Sequence, residues 1–263
     1  MPLSHKLTDH NPLLHETEMI VRDIDLLAQH IGHLILGKHR HVAEILAAKY
    51  SASPPSTSVM IDRAIKQLTV STDEERHRRD GWLFQYMTWI TMRMNVVDEK
   101  LITQPPHENP GQHGIDGLGI ILTANNEIKA IIIAEDKFTE NPRKMIREMV
   151  WPEFALFEKG EFDSQLVNKV TGLLNHLDAD EVDKMIANDI YKIDNRIYRA
   201  GITPLFTANT PKKRKKLFKD YDKNVKGVNH ERRHGVTFTD ADIRAWMDNL
   251  SKKIINSLES QRP

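Results

Sequence analysis

Residues 113–137 read "HGIDGLGIILTANNEIKAIIIAEDK", and this stretch decides the fold. Two apolar runs flank Asn125-Asn126, and Asn tolerates the positive φ that tight hairpin turns demand. With those two residues as the loop, Ala124 faces Glu127, and counting outward along the ladder sets Asp116 opposite Glu135. Facing residues of an antiparallel pair project from one side of the sheet. Strand alternation then adds Ile131, Ile133 and Lys137 to the side that carries Glu135. Two carboxylates and an ammonium are therefore expected to meet at the end of the hairpin.

Facing carboxylates destabilise a ladder and raise one another's pKa unless a cation sits between them. A hard ion such as Mg²⁺, with Mn²⁺ as a substitute, takes carboxylate, carbonyl and water oxygens. The expected metal ligands are Asp116, Glu135 and the backbone carbonyl of Asp136, with Lys137 placed to assist a water or neutralise a phosphate. The same letters also fit a surface hairpin in which Lys137 pairs with Glu135 or Asp136. Gly114, Gly117 and Gly119 weaken the first strand but permit a bulge or a close backbone approach.

Outward from the hairpin the pattern is mixed. Apolar residues from about His10 to Tyr50 recur at helical steps, and "SASPPSTS" (51–58) separates this expected N-terminal helical region from the remainder, 59–263. Helices are expected at 59–69 and from the Ser/Thr/Asp cap at 71–73 through Met94. Beyond the hairpin, Asn141 and Pro142 open a helix that Pro152 should kink or end. Further helices fit 161–177 and 180–200, short strands 201–208 and 234–239, and a last helix runs to about Leu258. This order predicts an α/β fold, a mixed sheet flanked by helices.

With Asp116 ahead of Glu135-Asp136-Lys137 on a hairpin between helices, the chain resembles the PD-(D/E)xK nuclease superfamily over about 80–240. Ile115 stands where the Pro of that name would be. The resemblance implies a restriction-endonuclease-like sheet and a Mg²⁺-dependent endonuclease acting on DNA, with Asp116, Glu135 and Lys137 catalytic. Many members carry a Glu in the first core helix within an "RxGxxFE"-like stretch. Here "RRDGWLFQ" puts Gln85 at that position as an auxiliary catalytic residue without charge, and leaves Glu75 as a weaker candidate. The layout also resembles nuclease effectors of bacterial anti-phage defence, which implies a protein partner such as an ATPase or SMC-like regulator, or a homo-oligomer. The alternative is a non-catalytic nuclease-like subunit that binds protein or nucleic acid.

The 37 basic and 37 acidic residues cancel, so attraction to DNA must come from local clusters. The densest is "TPKKRKKLFKDYDKNVKG" (210–227), where Lys212, Lys213, Arg214, Lys215 and Lys216 could track phosphates and Phe218 or Tyr221 could stack on a base. Arg143, Lys144 and Arg147, on the helix after Lys137, are closer in sequence to the expected metal; pairing with Glu140 or Glu148 is the plainer use of them. His30, His33, His39 and His41 read as helix-surface histidines rather than a metal site. The chain has no cysteine, which excludes disulfides, thiolate metal sites and a Cys nucleophile. No apolar run approaches the roughly 20 residues a membrane helix needs, and the expected setting is cytoplasmic.

Overall fold

The computed structural model describes residues 1–96, 100–227 and 230–263. Its centre is a seven-stranded, mixed, curled sheet with helices on both faces. In chain order the strands are β1 (Leu3–Asp9), β2 (His15–Val21), β3 (Lys100–Thr103), β4 (Gly117–Leu122), β5 (Ile128–Lys137), β6 (Arg196–Ile202) and β7 (Arg233–Thr237). In space they run β1-β2-β7-β6-β5-β4-β3. β5, β6 and β7 are parallel, β2 joins β7 in parallel, and the β1–β2, β3–β4 and β4–β5 pairs are antiparallel. A parallel centre covered on both faces requires near-continuous apolar strands, which is why β5 can be an unbroken Ile/Ala run.

The helices are α1 (Ile24–Ile35), α2 (His39–Leu46), α3 (Ser58–Leu68), α4 (Asp73–Asn95), α5 (Pro142–Met145), α6 (Trp151–Glu158), α7 (Asp163–Leu174), α8 (Ala179–Met185), α9 (Pro211–Leu217), α10 (Tyr221–Asn224) and α11 (Ile243–Glu259). One apolar cluster unites α1, α2, α3, α4 and α11 with Leu3, Met19 and Val236 of the sheet. A second packs α6, α7, α8 and the α9–α10 region on Ile131, Ile133, Tyr198 and Ile202. Among the described residues no helix is long and apolar enough to cross a membrane.

Several expectations need correction. The segment from about His10 is not helical at its start: β2 and the preceding β1 form a hairpin at the sheet edge, and helix begins only at Ile24. Met19 and Ile20 alternate inside a strand there, and short apolar runs do not distinguish the two periods. β3 falls where no element was expected. The helix expected over 180–200 stops by Ile190, and 196–202 is strand β6 rather than the expected 201–208. Arg196 and Arg199 disguised that strand, because a buried parallel strand seldom carries guanidinium groups. Arg196 is sheltered by bonds to the Phe157 carbonyl (2.7 Å) and the Asp163 carboxylate (2.8 Å). Between α5 and α6, residues 146–150 widen into a π-turn, which accommodates the N–H missing at Pro152.

The hairpin register is the predicted one, reached by a different route. Thr123 N donates to the Glu127 carbonyl and Asn126 has φ 63°, so the loop has three residues, not two. That shifts the count by one residue, and a bulge at Lys129 shifts it back, so Gly117 faces Ala134. Gly117 and Gly119 let α4 lie against β4: a Cβ at Gly119 would stand 3.0 Å from the Met92 sulfur.

Candidate active site

β5 sorts its end residues by alternation. Ala130 and Ile132 pack with Met92 of α4 on one face, while Ile131 and Ile133 join the cluster on the other. Asp136 follows the first set and Glu135 and Lys137 the second. Asp116, one residue before β4, closes the end of the hairpin by accepting from the Asp136 backbone N–H at 2.9 Å. Thr203 ties the neighbouring strand end to the chain after Lys137. Its hydroxyl donates to the Thr139 carbonyl (2.7 Å) and accepts from the Thr139 N–H (2.8 Å).

Asp116, Glu135 and Lys137 converge there. The Lys137 ammonium is paired with the Glu135 carboxylate and lies 4.0 Å from Asp116 Oδ2. Glu135 is 4% exposed, whereas the Lys137 side chain keeps 22% of its surface in solvent. The Gln85 amide, from α4, donates to Asp116 Oδ1 at 2.7 Å. Its own carbonyl oxygen is buried without a hydrogen-bond partner. Glu75 lies elsewhere: its carboxylate closes the capping box of α4 by accepting from Ser71 and Thr72.

Two residues that the sequence did not single out stand close by. Glu153, in the first turn of α6, feels both Lys137 and Asp116. His107 is buried with Nδ1 4.0 Å from Asp116 Oδ1, and its carbonyl accepts from the Trp82 indole (2.6 Å) and the Tyr86 hydroxyl (3.2 Å). Glu153 looked like any acid on a charged helix, and only the packing of α6 on the sheet brings it near. For His107 the signal was weak, one of two histidines in the Pro-rich run 104–114.

The electrostatics leave the site short of positive charge. Burial pushes the Glu135 carboxyl well above its ordinary value, and Asp116 adds to the rise against the opposing pull of Lys137. Burial likewise raises Glu153, where Lys137 opposes and Asp116 reinforces. Burial alone would lower the Lys137 ammonium, but Glu135 and Asp116 overcome it and hold it above its usual range. At 4 Å and an effective dielectric near 20, one ion pair gains about 4 kcal/mol. Desolvation costs several kcal/mol per ion, so one ammonium does not compensate three carboxylates.

The donor types suit a hard cation: the carboxylates of Asp116 and Glu135, which share Lys137, and the unpartnered amide oxygen of Gln85, whose amide nitrogen bonds Asp116. Among the described residues no three His, Asp or Glu side chains form a cage for a metal by themselves, so water would complete such a shell. The Asp136 side chain is not part of this set. It lies on the α4 face, where Thr88 donates its hydroxyl to Oδ2 at 2.5 Å.

The basic residues divide. Arg143 staples α5 to the α9–α10 region through the Leu217 and Lys219 carbonyls and Asp220. Arg214 is buried against Glu16, Glu18 and Asn209. Phe218 and Tyr221, expected as base-stacking groups, are wholly buried in the second apolar cluster. Lys144 and Arg147 remain exposed beside Glu148, and Lys212, Lys213 and Lys216 are exposed on α9, while Lys215 is half-buried and reaches the Asn11 carbonyl. His30, His33 and His41 are buried between helices rather than on the surface, and His39 opens α2. Comparisons with protein-family models, with curated proteins and with solved structures give no match to this chain.

Proposed function

We propose that the protein is a Mg²⁺-dependent nuclease of the PD-(D/E)xK type, hydrolysing phosphodiester bonds of DNA on a restriction-endonuclease-like sheet. The observation that carries this reading is the meeting of Asp116, Glu135 and Lys137 at one hairpin end, with more carboxylate than ammonium charge to balance. Asp116 and Glu135 would hold the cation, aided by the Gln85 and Asp136 carbonyl oxygens. When bound, a divalent cation supplies charge neutralisation at the phosphate and a lowered pKa for water. Lys137, partly open to solvent, orients the attacking water or donates to a phosphate oxygen. Glu153, with its raised pKa, is a candidate to accept or return a proton near the leaving oxygen. Buried His107 restrains Asp116 from behind. Exposed Lys144 and Arg147 offer phosphate contacts on the helix that follows Lys137, with Lys212, Lys213 and Lys216 as a second patch.

The test is loss of supercoiled plasmid with Mg²⁺ or Mn²⁺, comparing the protein with Glu135→Ala and Lys137→Ala variants of unchanged far-UV spectrum. Cleavage should vanish in both variants, and full activity in either sinks the proposal. A catalytically silent, nuclease-like subunit is the second reading, favoured by the neutral Gln85 amide bonded to Asp116. Calorimetry separates them: an absence of Mg²⁺ and Mn²⁺ binding at millimolar concentration supports the silent subunit.

A further inference from the structure

On the opposite face of the sheet from Glu135 and Lys137, β6 presents Ile197 and Arg199. They line a cavity of about 520 Å³ that lies past the end of α4 and reaches β1 and β2. Its apolar wall is Met92, Val96, Ile121, Ile132 and Ile197. That volume is within the range of roughly 300–1,000 Å³ typical of small-molecule sites.

Arg199 is the unusual member of that wall. It is 3% exposed, its Nη2 donates to the Thr88 carbonyl at 2.9 Å, and its Nη1 has no partner. The buried arginines Arg232 and Arg233 of the neighbouring strand region engage all three of their nitrogens. A buried donor left without a partner is destabilising, the more so on a charged group. Asp136 attracts Arg199 electrostatically and keeps its Oδ1 without a hydrogen-bond partner, while the hydrogen bonds of the nearby carboxylates go to other groups. Asp136 takes the Thr88 hydroxyl, and Glu16 takes Arg214, Thr237 and His10. Asp9, on the β1 side, takes the Asn11 N–H and lies 3.8 Å from His15.

The remaining titratable neighbours are histidines. His234 and His15 meet edge to face at 5.9 Å on the cavity wall, and His5 lies within electrostatic reach of Arg199. Burial, then the charges of His15 and Arg199, hold His234 down to about 4, so its ring is neutral near pH 7. Arg199 is thus the fixed positive charge of a cavity that is apolar at Met92, Val96, Ile121, Ile132 and Ile197 and polar on the β1–β2 side, where Thr8, Asp9, Glu16 and Thr17 line it.

We propose that this cavity binds a small organic monocarboxylate, its apolar body against Met92, Ile121 and Ile132 and its head on Arg199. The site is independent of the hydrolytic reading, because none of its wall residues belongs to the Asp116–Glu135–Lys137 cluster. Calorimetry on the full chain near neutral pH tests it with decanoate and its uncharged twin, decanol. Decanoate should bind saturably at one per chain, with decanol at least about tenfold weaker, a difference of about 1.4 kcal/mol. Arg199→Gln should reduce decanoate to the level of decanol. Val96→Trp, at a half-buried position on the wall, should block decanoate without touching the arginine and serves if the buried variant does not fold. The proposal is overturned if decanoate shows no saturable binding up to about 1 mM, where affinity falls to about 4 kcal/mol. It is equally overturned if decanol binds as well, or if Val96→Trp binds decanoate unchanged.

Discussion

Asp136 offers the sharpest test of how charge is distributed through the end of β5. Its carboxyl is enclosed between α4 and β6, with one oxygen on the Thr88 hydroxyl and the other, Oδ1, without a partner. Burial raises its pKa from an ordinary 3.8 to about 7; nearby Arg199 lowers it, and Asp116 adds to the rise. A folded-state value above the unfolded one means that folding favours the protonated form. The stability contributed by Asp136 is therefore fully present below about pH 4 and is lost as pH climbs to about 7. At about 1.4 kcal/mol per unit the whole change is roughly 4 kcal/mol, an upper figure because water penetration and partial relaxation shrink it. Asp136→Asn removes the titration and keeps an acceptor for Thr88. Its amide nitrogen adds an offset of either sign, but that offset does not depend on pH. Urea unfolding of both proteins across pH 4.5 to 7.5, roughly the window of the shift, measures the difference directly. Relative to the variant, the natural protein should lose stability steadily up to about pH 7 and no further. Parallel stability curves would show that Asp136 is ionised throughout and that the burial argument is wrong.

Other perturbations follow from the same region and its surroundings. Gly201→Ala would place a Cβ 2.0 Å from Asp136 Oδ1, so a loss of about 1–3 kcal/mol or more is expected. Much of that loss should disappear in an Asp136→Ala background, as a double-mutant cycle in urea would reveal. Arg214→Ala leaves the Glu16 carboxylate buried with only His10 and Thr237, and should cost about 3–5 kcal/mol in the same assay. A cost under about 1 kcal/mol would mean that Arg214 behaves as a surface ion pair. If α5 and the π-turn face the nucleic acid, Lys144→Gln with Arg147→Gln should weaken DNA binding alike for all sequences. The slope of log affinity against log salt should fall by about 2, and an unchanged slope removes that helix from the interface.

The site was legible because β5 obeys a period of two with no exception over its last seven residues, so one correct facing pair fixed all the others. That pair came out right although the loop was misjudged, since the extra residue in the turn and the extra residue at Lys129 act in opposite directions. A sequence shows neither deviation: Ala124 and Lys129 are exposed and compatible with either geometry. The N-terminal hairpin was hidden for another reason. β1 and β2 stand at the sheet edge with mixed burial, and their few apolar residues match helical and strand spacing equally well. β6 was hidden by its arginines, whose partners are main-chain carbonyls and an acid far away in the chain.

Arg214 had read as part of a grip for phosphate, yet it is buried, as are Arg196, Arg199, Arg232 and Arg233. All five bind carbonyls or carboxylates of distant segments, holding the curled sheet and its loops together as internal cross-links. A basic run therefore overstates the positive surface of this chain, and the outward-facing charge near the carboxylate cluster reduces to a few lysines and Arg147. The acids deceive in the opposite direction. Asp116, Glu135 and Glu153 are dispersed over 38 residues of sequence, yet they share one ammonium once β4, β5 and α6 are packed. Net charge along a chain and net charge at a point are set by different things, composition for the first and register and helix packing for the second. That local deficit of positive charge is what the proposed divalent cation would balance.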